Sequence, residues 1–103
     1  MGDFIPMSET AYYILLSLLQ ERHGYAVMQY VAELTRNRVN LGAGTLYGTL
    51  SKLERVNLVA ITREEGKRKY YRITDSGKEL LGLELSRLGE LYGNGLEVTG
   101  NGK

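Results

Sequence analysis

The residues able to do chemistry in this chain are few, and their types exclude several kinds of site. The 103-residue chain has one histidine, His23, and no cysteine. It therefore offers no Ser-His or Cys-His nucleophile pair and no zinc-ligand set. The adjacent acids Glu64 and Glu65 fall in a predicted exposed turn, where neither would be buried enough to shift its pKa for acid–base work. We expect no enzyme activity, no catalytic residue, no metal and no cofactor.

His23 and Gly24 are interpreted as the end of a helix. A histidine there can bond the last carbonyls and oppose the helix dipole, and glycine tolerates the left-handed conformation of a C-cap. The alternative, a ligand role for His23, lacks partner residues. Gly42-x-Gly44 also precedes a helix, but no strand leads into it and the remaining glycine of a dinucleotide fingerprint is missing.

The basic residues are concentrated in one part of the chain. Residues 36–72 contain nine Lys or Arg and three Asp or Glu, whereas the rest contains four and nine. A net charge of +1 for the whole chain thus conceals a strongly basic segment. Phosphate binding needs a local positive field rather than a basic chain, so this segment is a candidate DNA surface. The alternative is a solvated surface of mixed charge.

The hydrophobic pattern predicts the elements that must position these residues. Ser8 and Thr74 are candidate N-caps, and a turn with glycine is expected at 64–68. The predicted order is helices at 8–21, 25–35 and 43–56, strands at 58–63 and 69–74, and a last helix from 74 or 75 to 92.

This order predicts a mostly α fold with a small β-hairpin: a winged helix-turn-helix plus a C-terminal dimerisation helix. We expect the DNA-binding domain to span 1–74 and the dimerisation helix 75–92. The Gly- and Asn-rich segment 93–103 is expected to be a flexible tail.

The third predicted helix has two contrasting faces. Leu46, Leu50 and Leu53 recur at i, i+4 and i+7 and form a core stripe. Glycines on the opposite face would cost about 1 kcal/mol each relative to alanine. Close approach to another surface would explain that cost, and a poorly optimised helix is the alternative. The outer face is small, hydroxylated and basic: Gly44, Thr45, Gly48, Ser51, Lys52 and Arg55, with Tyr47 on the flank.

Two predicted helices carry more apolar surface than one small core requires. The first is apolar almost all round between Ala11 and Leu19, so a partner subunit is a natural cover. That stretch is about half of the roughly 20 residues that span a bilayer, so we expect no membrane partner. The last helix has apolar residues at coiled-coil spacing. We predict a homodimer with the interface residues Tyr12, Leu16, Leu81, Leu85, Leu88 and Tyr92.

Four motifs occur in order along residues 8–92: His23-Gly24-Tyr25, Gly44-Thr45-Leu46-Tyr47, Leu50-x-x-Leu53-Glu54, and Lys69-Tyr70-Tyr71-Arg72-Ile73-Thr74-x-x-Gly77. In this order they resemble the PadR-like family of bacterial and archaeal transcriptional regulators. With one C-terminal helix, the chain resembles the short subfamily. The resemblance implies a winged-helix fold, a homodimer made by the first and last helices, and repression through a palindromic operator.

The resemblance also implies which residues contact double-stranded DNA. Thr45 and Tyr47 would do so at the start of the reading helix, with Ser51 and Lys52 along it. The alternative function is a winged-helix protein-interaction module that binds no DNA. Combined with the outer helical face, the predicted DNA-binding residues are Thr45, Tyr47, Gly48, Ser51, Lys52, Arg55 and the wing residues Lys67, Arg68 and Lys69.

The chain departs from the family pattern at a few positions. Gly42-Ala43 replaces a frequent Ser-Pro pair, and Asn57 stands where a glycine is usual; Asn also tolerates a left-handed turn. Some members bind flat aromatic drugs between tryptophans, and this chain has none. An unidentified small-molecule effector remains a possible partner, with Tyr12, Tyr13 and Tyr92 lining a pocket, and ordinary packing is the alternative. The absence of cysteine agrees with a cytoplasmic location.

Overall fold

The computed structural model describes residues 4–100 and arranges them as helices around a small antiparallel sheet. The predicted fold class, mostly α with a hairpin and a C-terminal helix, is confirmed. None of the helices in this part of the chain is both long and apolar enough to cross a membrane. The elements are α1 Glu9–Ser17, β1 Arg22–His23, α2 Gly24–Leu34, α3 Ala43–Arg55, β2 Val59–Glu65, β3 Arg68–Ile73 and α4 Asp75–Thr99.

One apolar core lies between the first three helices, the sheet and the start of α4. Each helix contributes residues at helical spacing, which is why the amphipathic pattern predicted the helices. Two of the predicted caps form as expected: the Ser8 hydroxyl accepts from the Ala11 amide at 3.1 Å, and the Thr74 hydroxyl accepts from the Gly77 amide at 3.0 Å. The core comprises Ile14, Leu15, Leu18, Val27, Val31, Leu46, Leu50, Leu53, Leu58, Val59, Tyr71, Ile73, Leu80 and Leu81.

The hairpin is longer and its turn tighter than predicted. Glu64 and Glu65 belong to β2, and in the strand register they lie opposite Lys69 and Arg68 of β3. The connection is therefore the two residues at 66–67, and the glycine there has a φ of 61°. A two-residue hairpin needs a left-handed residue at its first central position, which glycine adopts without steric cost. The predicted turn at 64–68 was too wide because this register depends on pairing across the strands.

The interpretation of His23-Gly24 as a helix end is wrong. α1 ends at Ser17, and Arg22 and His23 form a short strand that pairs with Tyr71 and Tyr70 of β3. The sheet order is β1-β3-β2. His23 instead begins α2, because its Nδ1 accepts from the Ala26 amide at 3.2 Å. At the C-terminal end of α1, the Arg22 guanidinium donates a hydrogen bond to the Ser17 carbonyl.

α4 continues beyond the predicted helix end at residue 92. It runs to Thr99 and ends at Gly100, which has a left-handed φ of 79°. Once a helix is nucleated, each further residue adds one hydrogen bond while fixing one residue, so Gly93 and Gly95 weaken the helix without ending it. The Thr99 hydroxyl also donates to the Gly95 carbonyl at 2.8 Å. The predicted tail residues 101–103 lie outside the described residues.

Gly77 allows α4 to pack closely on the end of the hairpin. A Cβ at this position would lie 2.6 Å from Cγ1 of Ile73 and closer still to the carbonyl oxygen of Leu58. Gly82, in the same helix, has nothing within 4 Å of the corresponding position.

We predict that Gly77→Ala destabilises the domain by about 1–3 kcal/mol, because a fixed carbonyl cannot move out of the way of the new methyl group. Gly82→Ala should instead stabilise it by up to about 1 kcal/mol, since alanine is the better helix former. Urea unfolding followed by circular dichroism measures both. Equal effects of the two substitutions would contradict the close packing at Gly77.

Candidate nucleic-acid interface

α3 presents the outer face that its sequence predicted. Leu46, Leu50 and Leu53 are buried with exposed fractions of 0–1%. A Cβ at Gly44 or Gly48 would meet nothing within 4 Å, so packing within the chain does not require glycine at either position. Both glycines therefore leave room for a surface that approaches from outside. The residues on the exposed side are Gly44, Thr45, Tyr47, Gly48, Ser51, Lys52 and Arg55.

Tyr47 connects α3 to the start of α2. Its side chain is 47% exposed, and its ring lies over Gly24, where a Cβ would be 2.7 Å from the Tyr47 Cζ. Gly24 therefore leaves room for the Tyr47 ring, and it does not serve as a C-cap. This contact holds Tyr47 at the edge of the outer face of α3.

The tip of the hairpin carries cations that are free of ion pairs. Lys67, Arg68 and Lys69 are exposed, and none of them makes a salt bridge within residues 4–100. Arg63 of β2 differs, because it pairs with Glu21 at 3.0 Å and also with Glu65. The three cations at the tip are therefore available to an external anion, although Glu64 and Glu65 lie across the hairpin from Lys69 and Arg68 and offset part of their charge.

A groove of about 640 Å³ lies between α2, α3 and the hairpin. It brings Tyr47 and Ser51 of α3 together with the three cations of the hairpin tip, which the sequence analysis had assigned separately. Cations on one wall and a hydroxyl on the other are groups that bind phosphate oxygens in protein–DNA contacts. The lining residues are His23, Gly24, Tyr25, Tyr47, Ser51, Glu65, Lys67, Arg68, Lys69 and Tyr71.

Other predicted DNA-binding residues lie outside this groove. Lys52 turns towards the N-terminal segment, with its Nζ 5.6 Å from the centroid of the Phe4 ring. Thr45, Gly48 and Arg55 are exposed on α3 but do not line the groove. These α3 residues form a surface beside the groove rather than part of it.

The sequence did not identify the residues that α2 contributes. His23, Gly24 and Tyr25 line the groove because they begin α2. Tyr25 was predicted to start this helix, whereas His23 and Gly24 were assigned to the end of the preceding one. A histidine followed by a helical pattern is also an N-cap signal, because the side chain can accept from the first free amides. That signal could have placed these residues correctly.

His23 caps α2 with a neutral ring. Because its Nδ1 accepts a hydrogen bond, the proton of the neutral imidazole lies on Nε2. Burial, and to a lesser degree the nearby Arg68 guanidinium, hold the pKa of His23 below its ordinary value of 6.5. The ring also stands edge-on to Tyr70, with ring centroids 5.4 Å apart. The cap is therefore intact near neutral pH.

The residues predicted for the dimer interface fall into three groups. Leu81 is only 4% exposed within its own chain, so it has little surface to offer a partner. Tyr12 and Leu16 of α1 are half-buried. Burial, Tyr13 and the Glu84 carboxylate of α4 raise the pKa of Tyr12. The predicted residues that are exposed on α4 are Leu85, Leu88 and Tyr92. The helix also exposes Leu83, Leu91 and Val98, which were not assigned to the interface.

The helix order and the three-stranded sheet define a winged-helix domain, and this domain carries a basic groove. Among residues 4–100, no three His, Asp or Glu side chains are grouped as a metal site. A family model described as the transcriptional regulator PadR-like family matches residues 12–83, which is more than half of the chain. The chain therefore belongs to the PadR-like family of transcriptional regulators.

Relatives of known sequence show similarity over most of this chain. It is 36% identical over 75 residues to an uncharacterised 37.1 kDa protein in transposon TN4556 of Streptomyces fradiae, and 33% identical over 92 residues to an uncharacterised protein X of Lysinibacillus sphaericus. It is 30% identical over 70 residues to the transcriptional regulator YqjI of Escherichia coli. These matches cover 73%, 80% and 66% of the chain. They span 21%, 84% and 34% of the relatives' own lengths.

Solved structures show the same fold. The PadR-family transcriptional regulator from Eggerthella lenta superposes with a TM-score of 0.71 at 27% sequence identity. The match covers 85% of this chain and 75% of that chain. The fold found here is therefore the fold of that family.

We predict that the domain loses stability as the pH falls below about 6.5, because the unfolded chain then binds a proton that the folded His23 resists. The stabilising contribution of the His23 cap is fully present above the pKa that His23 has in the unfolded chain. It declines as the pH falls towards the lower pKa that His23 has in the folded chain. The loss should be about 1 kcal/mol, the usual contribution of an N-cap. Urea unfolding between about pH 7.5 and 5.5 measures it, and His23 is the only histidine in the chain.

The matched variant is His23→Asn, since asparagine is a good N-cap that does not titrate. Its stability should stay nearly level over the same range. If the variant lost stability with the same slope as the natural chain, the cap would not be the cause.

Proposed function

We propose that this chain is a homodimeric repressor that binds a palindromic operator. In this proposal, the outer face of α3 enters the major groove, and the hairpin tip lies along the adjacent phosphate backbone. The observation that supports it best is the groove between α3 and the hairpin, which Ser51 lines together with cations that make no salt bridge to any residue between 4 and 100. The diameter of an α-helix with its side chains suits a major groove about 12 Å wide.

The support for a homodimer comes from the apolar stripe of α4. Leu88 and Leu91 follow Leu81 and Glu84 by two helical turns each, so they lie on the same side of the helix. Leu81 and Glu84 are buried against the body of the chain, whereas Leu88 and Leu91 are 37% and 54% exposed. An apolar stripe that continues beyond its own domain is a typical surface for a second helix.

The half-buried residues Tyr12 and Leu16 of α1 lie one helical turn apart and extend this surface. A symmetric pair of subunits would present two reading helices, and two-fold symmetry in the protein corresponds to a palindrome in the DNA. Repression is the simplest consequence of such binding, because a dimer in the major groove of a promoter excludes other proteins from the same site.

We predict that Lys67→Ala and Lys69→Ala each weaken binding to all DNA sequences and reduce its salt dependence. Each phosphate contact contributes about one unit to the slope of log K against log salt concentration, so one lysine should account for about two units in a homodimer. Fluorescence anisotropy on duplexes obtained by random-site selection, over a range of salt concentrations, measures this slope.

The control is Lys78→Ala, which removes the same charge from an exposed position on α4. An unchanged slope in the two hairpin variants would contradict the phosphate contacts. Failure of the natural chain to select any duplex would favour the alternative, a protein-interaction module.

We predict that Leu85→Glu dissociates the dimer, because the new carboxylate would be desolvated in the helix–helix seam. Leu83→Glu is the matched control: Leu83 and Leu85 are 51% and 50% exposed, but they point to opposite sides of α4. Sedimentation equilibrium distinguishes monomer from dimer. If Leu85→Glu stayed dimeric, or Leu83→Glu dissociated, the seam would lie on another face.

A further inference from the structure

Glu84 is a charged residue in the interior of the domain. It is 1% exposed, and it lies on the side of α4 that contacts the body of the chain. Burying an unpaired carboxylate is costly, so a residue in this position must be held by specific partners. Neither the sequence motifs nor the DNA-binding surface gives it a role.

Three hydrogen bonds satisfy the Glu84 carboxylate. The backbone amide of Met7 donates to Oε2 at 2.9 Å, and the Arg87 guanidinium donates to both oxygens at 2.7 and 2.8 Å. Arg87 outweighs the effect of burial and holds the pKa of Glu84 below its ordinary range. The interaction joins the segment before α1 to the middle of α4, across 77 positions of sequence.

Glu84 is also the last place at which α4 is anchored to its own domain. The buried residues of this helix are Gly77, Leu80, Leu81 and Glu84. None of the residues from 85 to 99 is buried, so this part of the helix extends about 22 Å beyond the anchor at 1.5 Å per residue. The direction in which the helix leaves the body is therefore set by these four residues, and Glu84 is the one nearest to the part that extends outward.

In the proposed dimer, the two subunits are joined through their α4 helices. The direction of α4 therefore determines the distance between the two α3 helices that would contact DNA. A rotation of about 10° at Glu84 moves a point about 20 Å away by about 3.5 Å, which is close to the rise of one base pair. A dimer whose subunits can rotate in this way would accept operators with several spacings between half-sites. A dimer with a fixed angle would accept one spacing.

We propose that Glu84, held by the Met7 amide and Arg87, is a positioning residue that fixes the angle between α4 and the DNA-binding body and so determines the half-site spacing that the dimer accepts. This inference rests on the proposed homodimer. Glu84 does not touch DNA in this account, and it acts only through the direction of α4.

The first test measures the angle without DNA. The chain has no cysteine, so Glu33→Cys on the exposed side of α2 carries a single spin label per subunit. Double electron–electron resonance then gives the distance between the two labels of a dimer. We expect a narrow distribution in this reference protein and a clearly broader or shifted one after Glu84→Gln, which keeps an acceptor for the Met7 amide but removes the charge.

The controls distinguish a failure of this inference from a failure of the proposed homodimer. Glu90→Gln makes the same change at an exposed position of α4 and should leave the distribution narrow. A reference protein without any inter-subunit distance would overturn the homodimer itself. A dimer whose distribution is unchanged by Glu84→Gln would overturn the role of Glu84 alone. Should Glu84→Gln fail to fold, Arg87→Gln at the partly exposed partner replaces it, with the same two outcomes.

The second test measures the consequence for DNA binding. Palindromic duplexes from random-site selection are altered by adding or removing one base pair between half-sites. The natural chain should prefer its selected spacing by about tenfold or more, because a misplaced half-site loses its base contacts. Glu84→Gln should reduce this preference to within about threefold and bind a single half-site as the natural chain does. A retained preference would contradict the proposal.

Discussion

The burial of three leucines along one side of α3 is the constraint on which the proposed DNA-binding surface depends. Leu46, Leu50 and Leu53 are almost fully enclosed by α1, α2 and the sheet. Because a helix is rigid, fixing one side determines the direction of the other. The small and basic residues opposite the leucines are therefore directed outward. The hairpin packs on the same core through Tyr71 and Ile73, so its cations keep a constant relation to α3.

α4 has two structural roles in this small domain. Its first part completes the core through Leu80 and Leu81, and its second part extends beyond the body with an apolar stripe. Glu84 stands at the boundary between the two parts. A hydrophobic residue there would pack without direction, whereas a carboxylate held by a backbone amide and a guanidinium is directional. This physical difference is the reason for assigning Glu84 a positioning role.

Local pattern was enough to predict the helices, their order and the exposed face of α3. Periodicity depends on residues a few positions apart, and those residues remain neighbours in the folded chain. The errors have a common cause in contacts between distant positions. His23 was assigned to the wrong helix because its strand pairing with Tyr70 is not visible in local sequence. Leu81 was assigned to the seam because heptad spacing does not show which leucines the chain's own core occupies.

Residue types and ordered motifs belong to the linear chain, and they were enough to indicate the family and to exclude a cysteine or paired-histidine site. The groove is different, because folding alone brings Tyr47, Ser51 and the hairpin cations beside the start of α2 and turns Lys52 away from them. Folding also buries Glu84 beside Met7. Such proximity arises from packing between segments that are far apart in sequence, so no local pattern could have contained it.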